Sequence, residues 1–242
     1  MYDKTDKQLE DLIDKTYRIK NAASVLERQG LSRLDMLKKA SQEQCVDGCN
    51  GTWLTSTNEV LTLNKIHPIL YANAIRELLT QGRGEWRNVF IHGTANCAKT
   101  FMLKPIEEIY QCFINPAKEK YAWVGADKAE VIILQDFRFD SEKIAWKCLL
   151  LLREGESVKL PAPKNHYSKD VHITHDVPIF ATSKDRIKYV GPNNTTDDKE
   201  DHMMNVRWKI FHFTHEFQED EQKEIKACGS CFAKLALEGY TD

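Results

Sequence analysis

The chain has no long apolar run. Its longest, Cys148 to Leu152, is five residues, against about 20 for a helix that crosses a bilayer, so no membrane partner is expected. It has no excess of one charge. The 34 Lys and Arg against 36 Asp and Glu leave a formal net charge of −2, so any attraction to nucleic acid must come from a local patch. Met1 to Glu10 is polar and acidic with no apolar core, which does not read as a secretory signal. An intracellular setting is expected, in which the Asn-Xaa-Thr triplets at Asn50, Asn193 and Asn194 carry no glycosylation meaning. Cysteine is sparse and odd in number, seven in 242 residues, which argues for reduced thiols or metal ligands rather than a disulfide framework. The remainder is ordinary for a globular chain: 42% hydrophobic and 29% charged residues exclude wholesale disorder, collagen and a disulfide miniprotein. The length fits one large domain, or a domain with a small companion.

The first part of the chain, residues 1–82, reads as helical. Leu9, Leu12, Ile13, Ile19, Ala23 and Leu26 recur at helical spacing up to Gly30. Ser32 with Asp35 three residues on resembles a capping box opening a helix through Leu34, Leu37 and Ala40. Cys45 to Thr57 is rich in Gly, Asn, Ser and Thr and reads as a loop. A third helix starts near Pro68, buries Ile69, Leu70, Ala74 and Leu78, and stops at Gly82. This front could form a collar between subunits, although apolar residues at helical spacing are also simply core. From residue 83 to 215 the texture changes. Val89–Ile91, Glu130–Leu134, Val177–Ala181 and Val206–Phe213 are short β-rich runs, with helical segments near Thr100–Phe113 and Ser141–Arg153. Strands alternating with helices predict an α/β core, a parallel sheet flanked by helices. Gly191 to Asp201 reads as a polar surface loop, and residues 216–242 as an acidic stretch followed by a helix through Phe232 and Leu235.

The sharpest motif is Gly93-Thr94-Ala95-Asn96-Cys97-Ala98-Lys99-Thr100, set between the apolar strand Asn88–Ile91 and a helix. That is the context of a P-loop, where backbone N–H groups cradle phosphate oxygens. Lys99 would reach the β- and γ-phosphates of ATP, and the Thr100 hydroxyl would ligate Mg²⁺. Ala98 stands where glycine normally precedes the lysine; if that position needs φ above zero, alanine costs about 1–2 kcal/mol. Further on, Val131-Ile132-Ile133-Leu134-Gln135-Asp136 is an apolar strand ending in a carboxylate that suits Mg²⁺ coordination. Gln135 sits where an acid often activates water; an amide orients water but is a poor base. The cationic strip Lys159, Lys164, His166 and Lys169, with Tyr167 as a stacking face, offers contact to single-stranded DNA, or is a solvated lysine-rich loop.

The ordered series of phosphate loop, Asp-ended strand, Glu154-Gly155-Glu156-Ser157-Val158 hairpin and Pro178-Ile-Phe-Ala-Thr182-Ser183 strand resembles a superfamily 3 helicase. This is the replication helicase type of parvoviruses, papillomaviruses, polyomaviruses and related mobile elements. The match runs from about Arg87 to Phe213. The resemblance implies an AAA+-like ATPase core that assembles as a homo-oligomeric ring, commonly a hexamer, around single-stranded DNA, with each nucleotide shared between neighbours. It implies Lys99, Asp136, Lys184 and Arg207 in catalysis, with Arg207 facing the adjoining subunit's nucleotide. It places Lys164 and His166 in the central channel, with Lys169 as a further cation. Lys184 stands where the family has an asparagine that senses the γ-phosphate; lysine could touch the phosphate as a point charge without holding water in the same way. Together Ala98, Gln135 and Lys184 are compatible with a chain that binds ATP and hydrolyses it slowly. The His-apolar-His pair of a nicking domain is absent ahead of the loop, so DNA nicking is not expected. A replication role points to the nucleus of a eukaryotic host, without a basic import cluster to mark it.

Two thiol pairs remain. Cys45-Val-Asp-Gly-Cys49 and Cys228-Gly-Ser-Cys231 have spacings compatible with Zn²⁺. Together they would make a four-cysteine site tying the front of the chain to its tail, provided the two ends meet in space; as unrelated pairs they would be structural thiols. Cys97 reads as a small filler of the phosphate loop, and His212 and His215 as ordinary strand-end histidines.

Overall fold

A computed structural model describes residues 30–115, 122–161, 170–191 and 195–239, together with positions 12, 15, 16, 22 and 26–28. Most of the first predicted helix, and the strip Lys164, His166, Tyr167 and Lys169, lie outside the described residues. The described positions 12, 15, 16, 22 and 26–28 are helical, and α1 (Arg33–Gln42), α2 (Thr52–Leu63) and α3 (Pro68–Gln81) follow them. The capping box of α1 forms as expected, with Ser32 Oγ accepting from the Asp35 N–H at 3.1 Å and Asp35 returning a carboxylate to the Ser32 N–H at 3.2 Å. Helix α3 has Pro68 in its first turn and is closed by Gly82 at φ +74. A Cβ on Gly82 would lie 1.8 Å from the Asp176 carbonyl oxygen, so only glycine fits that stop. The buried face of α3 is Tyr71, Ala72, Ala74, Ile75, Leu78 and Leu79; Ile69 and Leu70, expected inside, are exposed at the first turn.

Helix α2 corrects the loop expected through Thr57. Its turn-forming residues end at Gly51, and Trp53, Thr57, Val60 and Leu61 then form one buried stripe. Trp53 packs against Phe101 and Phe232 with ring centroids 5.5 and 6.1 Å away. Burial of Trp53, Val60 and Leu61 stabilises by about 1.5–3 kcal/mol each, which together outweighs the few tenths that each Thr, Ser and Asn of the helix loses in propensity.

The core is a five-stranded, wholly parallel sheet: β1 (Asn88–Gly93), β2 (Cys112–Ile114), β3 (Val131–Leu134), β6 (Ile179–Ser183) and β7 (Trp208–Phe213), in the spatial order β2-β3-β6-β1-β7. Its crossovers carry α4 (Lys99–Leu103), α5 (Ile106–Ile109), a 3₁₀ turn (Ala126–Lys128), α6 (Trp146–Glu154) and α7 (Asp198–Asn205). A small antiparallel pair, β4 (Val158–Leu160) with β5 (Val171–Ile173), forms the expected hairpin. The chain's last helix is α8 (Gly229–Ala236). Alternation sorts the strands onto two faces. Val89, Ile91, Val131, Ile133 and Phe180 join the core under α1–α5 and α8, whereas Phe90, Ile132, Leu134, Ile179 and Ala181 join a second core with α6 and the hairpin. Both faces are covered, as a parallel sheet requires.

Two boundaries differ from the sequence reading. The helix expected through Phe113 ends earlier: Pro105 interrupts it, Tyr110 turns extended, and Cys112–Ile114 becomes the edge strand β2. The expected 191–201 loop gives way to α7, because Asp197 caps it by accepting from the Lys199 N–H at 2.8 Å.

Candidate nucleotide site

In a parallel sheet every strand's carboxyl end lies on one edge, and ligands bind there. Strand β1, paired with β6 on one side and β7 on the other, delivers the Gly93–Thr100 loop to that edge. Gly93 is fixed by its neighbour: it lies opposite Phe213 of β7, and a Cβ would stand 2.0 Å from the Phe213 carbonyl oxygen. Asn96 and Ala98 both adopt the left-handed conformation, at φ +53 and +64. The Ala98 position is therefore one that glycine would occupy without strain. Cys97 is buried, and its Sγ donates to the Thr94 carbonyl at 3.0 Å, which makes it a filler of the loop. Lys99 folds back over the loop, its Nζ 2.7 Å from the Gly93 carbonyl and also bonded to the Thr94 carbonyl, with Cys97 Sγ at 3.3 Å. Thr94, Ala95 and Thr100 are exposed.

Strand β6 lies beside β1 and β3 beside β6, so their ends share this edge. Lys184 directly follows Ser183 of β6 and is exposed. Beyond β3, Gln135 is half-buried and Asp136 is exposed at φ +44. This turn is held from both sides. Thr182 accepts from the Asp136 N–H through Oγ1 at 3.0 Å and from the Phe137 N–H through its carbonyl at 2.7 Å, and Asn115 Oδ1 accepts from the Gln135 N–H at 2.7 Å. Among the described residues the Asp136 carboxylate pairs with Arg138, at 3.5 Å and exposed, a weak pair. The structure thus brings the Gly93–Thr100 loop, Lys184 and Asp136 to the ends of three adjacent strands.

Arg207 does not join them. It precedes β7 at the amino end of the sheet and is buried. Its guanidinium donates to the Leu150 carbonyl at 3.2 Å, to the Met203 carbonyl and to the Glu154 carboxylate at 2.8 Å. In the single chain this guanidinium is engaged by α6 and α7, away from the edge that carries the Gly93–Thr100 loop.

Two features escaped the sequence reading. His92, the residue before Gly93, is buried, and its ring stacks on that of His212 at 4.4 Å and 10°. Loss of solvent, then His212 and the cationic Arg186 and Lys99 nearby, lower its pKa to about 4 despite the opposing Asp185, so the ring is neutral near pH 7. The only available signal was a histidine in each of two strands, and register was needed to pair them. The second feature is a cavity of about 430 Å³ beside the loop, lined by Val60 and Leu63 of α2, Asn96, Ala98, Phe101 and the tail residue Phe217 among others. The Phe217 N–H donates to the Asn96 carbonyl at 3.0 Å, fastening the tail to the loop. The sequence hid this cavity because its walls come from α2, the loop after β1 and the tail, segments that only the fold brings together.

The four cysteines of the two thiol pairs meet, their sulfurs all within 4.8 Å of one another. Among the described residues no helix is long and apolar enough to cross a membrane.

No family model and no curated protein matches the chain. Among solved structures it is similar to the apo A form of the NrS-1 C-terminal region, at 12% identity and a TM-score of 0.49, covering 77% of this chain and 45% of that one. A second apo structure of that region, residues 305–718, gives 10% identity and a TM-score of 0.46, covering 74% and 43%. The chain thus spans less than half the length of these structures.

Proposed function

We propose that the chain is an ATP-dependent DNA helicase or translocase of superfamily 3 type, acting in the replication of a virus or virus-derived element. The observation that carries this reading is the shared edge: the Gly93–Thr100 loop after β1, Lys184 after β6 and Asp136 after β3. Loop amides and Lys99 would hold the phosphates, with the Lys99 ammonium exchanging the Gly93 and Thr94 carbonyls for phosphate oxygens. Thr100 and Asp136 are the oxygen donors suited to Mg²⁺, which would supply charge neutralisation at the transferring phosphoryl group. Lys184 would add a point charge, and Gln135 would orient water. The cavity beside Ala98, walled by Val60, Leu63, Phe101 and Phe217, is apolar enough to receive the base. Contact with single-stranded DNA would fall to Lys164, His166 and Lys169, which lie in sequence between β4 and β5.

A second reading is favoured by Arg207. With that guanidinium enclosed, no charge from a neighbouring subunit is assigned to the transition state, and a ring that binds ATP and assembles on DNA without turnover fits equally. Steady-state ATP hydrolysis with and without single-stranded DNA, against a Lys99→Ala control, together with equilibrium binding of a fluorescent ATP analogue, separates the two. DNA-stimulated turnover lost in Lys99→Ala supports the motor. Binding without turnover above that control selects the second reading, and no binding refutes both.

A further inference from the structure

Cys45 and Cys49 lie in the turn between α1 and α2, where Gly48, Asn50 and Gly51 all take positive φ and wrap the chain into a knuckle. Cys228 and Cys231 lie at the start of α8, Cys228 as its N-cap. A spacing of three puts both thiols on one helix face. The pairs are 186 residues apart in sequence between Cys45 and Cys231, yet Cys231 Sγ lies 3.6 Å from Cys45 Sγ and 3.7 Å from Cys49 Sγ. Cys49, Cys228 and Cys231 are buried and Cys45 is half-buried. A disulfide needs its sulfurs at about 2.05 Å, and none of the seven cysteines forms one. A tetrahedral ion with Zn–S bonds of about 2.3 Å spaces its sulfurs about 3.8 Å apart, close to the 3.6 and 3.7 Å from Cys231 and within reach of a set whose sulfurs all lie within 4.8 Å. A cluster of several irons would bind the cysteines at different iron atoms and spread them wider.

We propose that Cys45, Cys49, Cys228 and Cys231 bind one structural Zn²⁺ as four thiolates. All four positions come from the protein, so the site is closed and has no place for substrate. Four thiolates and Zn²⁺ carry two net negative charges. Lys226 stands beside the knuckle, its Nζ donating to the Asp47 carbonyl at 3.0 Å and lying 3.7 Å from where a Gly48 Cβ would be, which offsets part of that charge. The junction is already prepared around the ion: Ser230 Oγ donates to the Glu43 carbonyl at 2.8 Å, and Arg76 holds the far end of α8 through the Ala236 carbonyl at 3.1 Å. The consequence is a cross-link from the helical front to the tail. That tail includes Phe217 and Ile225, which wall the cavity at the phosphate loop. This inference does not rest on the nucleotide reading.

The test uses the full chain, purified under reducing conditions with one equivalent of Zn²⁺ and then desalted. Elemental analysis should give one zinc per chain and no stoichiometric iron, and Co²⁺ in its place should show the intense visible bands of a tetrahedral thiolate site. Titration with a mercurial should release the zinc as four thiols react, which needs no variant that folds. Cys228→Ser/Cys231→Ser should hold less than a tenth of an equivalent, and chelation should lower Tm by about 10 °C. Zinc well below one equivalent, one equivalent of iron, an intact-mass loss showing disulfides under reducing conditions, or undiminished zinc in the double variant each overturns the proposal.

Discussion

Replacing Ala98 by glycine isolates the one backbone departure in the phosphate loop. Ala98 is held at φ +64 and ψ 16. The left-handed region costs an alanine about 1–2 kcal/mol because Cβ crowds the following carbonyl. Glycine removes that strain but gains freedom in the unfolded chain, which costs back about 0.5–1 kcal/mol. The difference leaves Ala98→Gly more stable by about 0.5–1 kcal/mol. At this chain length, about 2–4 °C per kcal/mol converts that to a rise in Tm of about 1–4 °C. Urea denaturation should show a higher midpoint with an unchanged slope. Ala98→Val supplies the opposite arm: a β-branched residue at the same dihedrals should lower stability by more than 1 kcal/mol. Binding of the fluorescent ATP analogue should be at least as tight in the glycine variant, because the loop keeps its shape and loses only a methyl group at the cavity wall. A glycine variant less stable than the parent, or indistinguishable from Ala98→Val, refutes the strain argument.

Asn88→Ala should destabilise by about 2–4 kcal/mol in chemical denaturation, since the two N–H groups of the buried Asn88 Nδ2 are shared among the Gly84, Arg153 and Arg207 carbonyls at 2.9, 2.7 and 2.8 Å, and the variant removes that donor from all three. Stability should fall with acid through His92. Its folded pKa of about 4 lies below the ordinary 6.5, so the unfolded chain binds the proton first, and stability present above pH 6.5 is lost toward pH 4 by up to about 1.4 kcal/mol per unit. His92→Gln should flatten that slope between pH 6.5 and 5; an identical slope in the variant would count against a neutral buried ring.

The parts of this molecule legible in its sequence are those set by local chemistry. The Ser32–Asp35 box, the Pro68 start and Gly82 stop, and the apolar runs of β1, β3, β6 and β7 each carry their own signal within a few residues. The positive φ at Ala98 in the loop after β1 was legible for the same reason, as a condition on that position. What was not legible depends on distant partners. Helix α2 has the composition of a loop and is helical because Phe101 and Phe232 cover Trp53. The enclosure of Arg207 by the Glu154 carboxylate and two carbonyls at the amino end of the sheet likewise depends on residues more than fifty positions away for two of its three partners. The meeting of the cysteine pairs and the stacking of His92 on His212 are facts of tertiary placement that no spacing along the chain contains.

Helix α8 completes a core begun almost two hundred residues earlier, since Phe232, Ala233 and Leu235 close over Leu37, Trp53 and Ile75. During synthesis the apolar stripes of α1, α2 and α3 therefore wait uncovered while the whole sheet is made. The amino-terminal helices cannot mature as a unit ahead of the rest, and the loop that must close is nearly as long as the protein. Folding of this chain is expected to be slow and late, with the nascent front dependent on holding factors. Release of a chain cut after β7 would expose those stripes permanently and lead to aggregation in place of a smaller folded core.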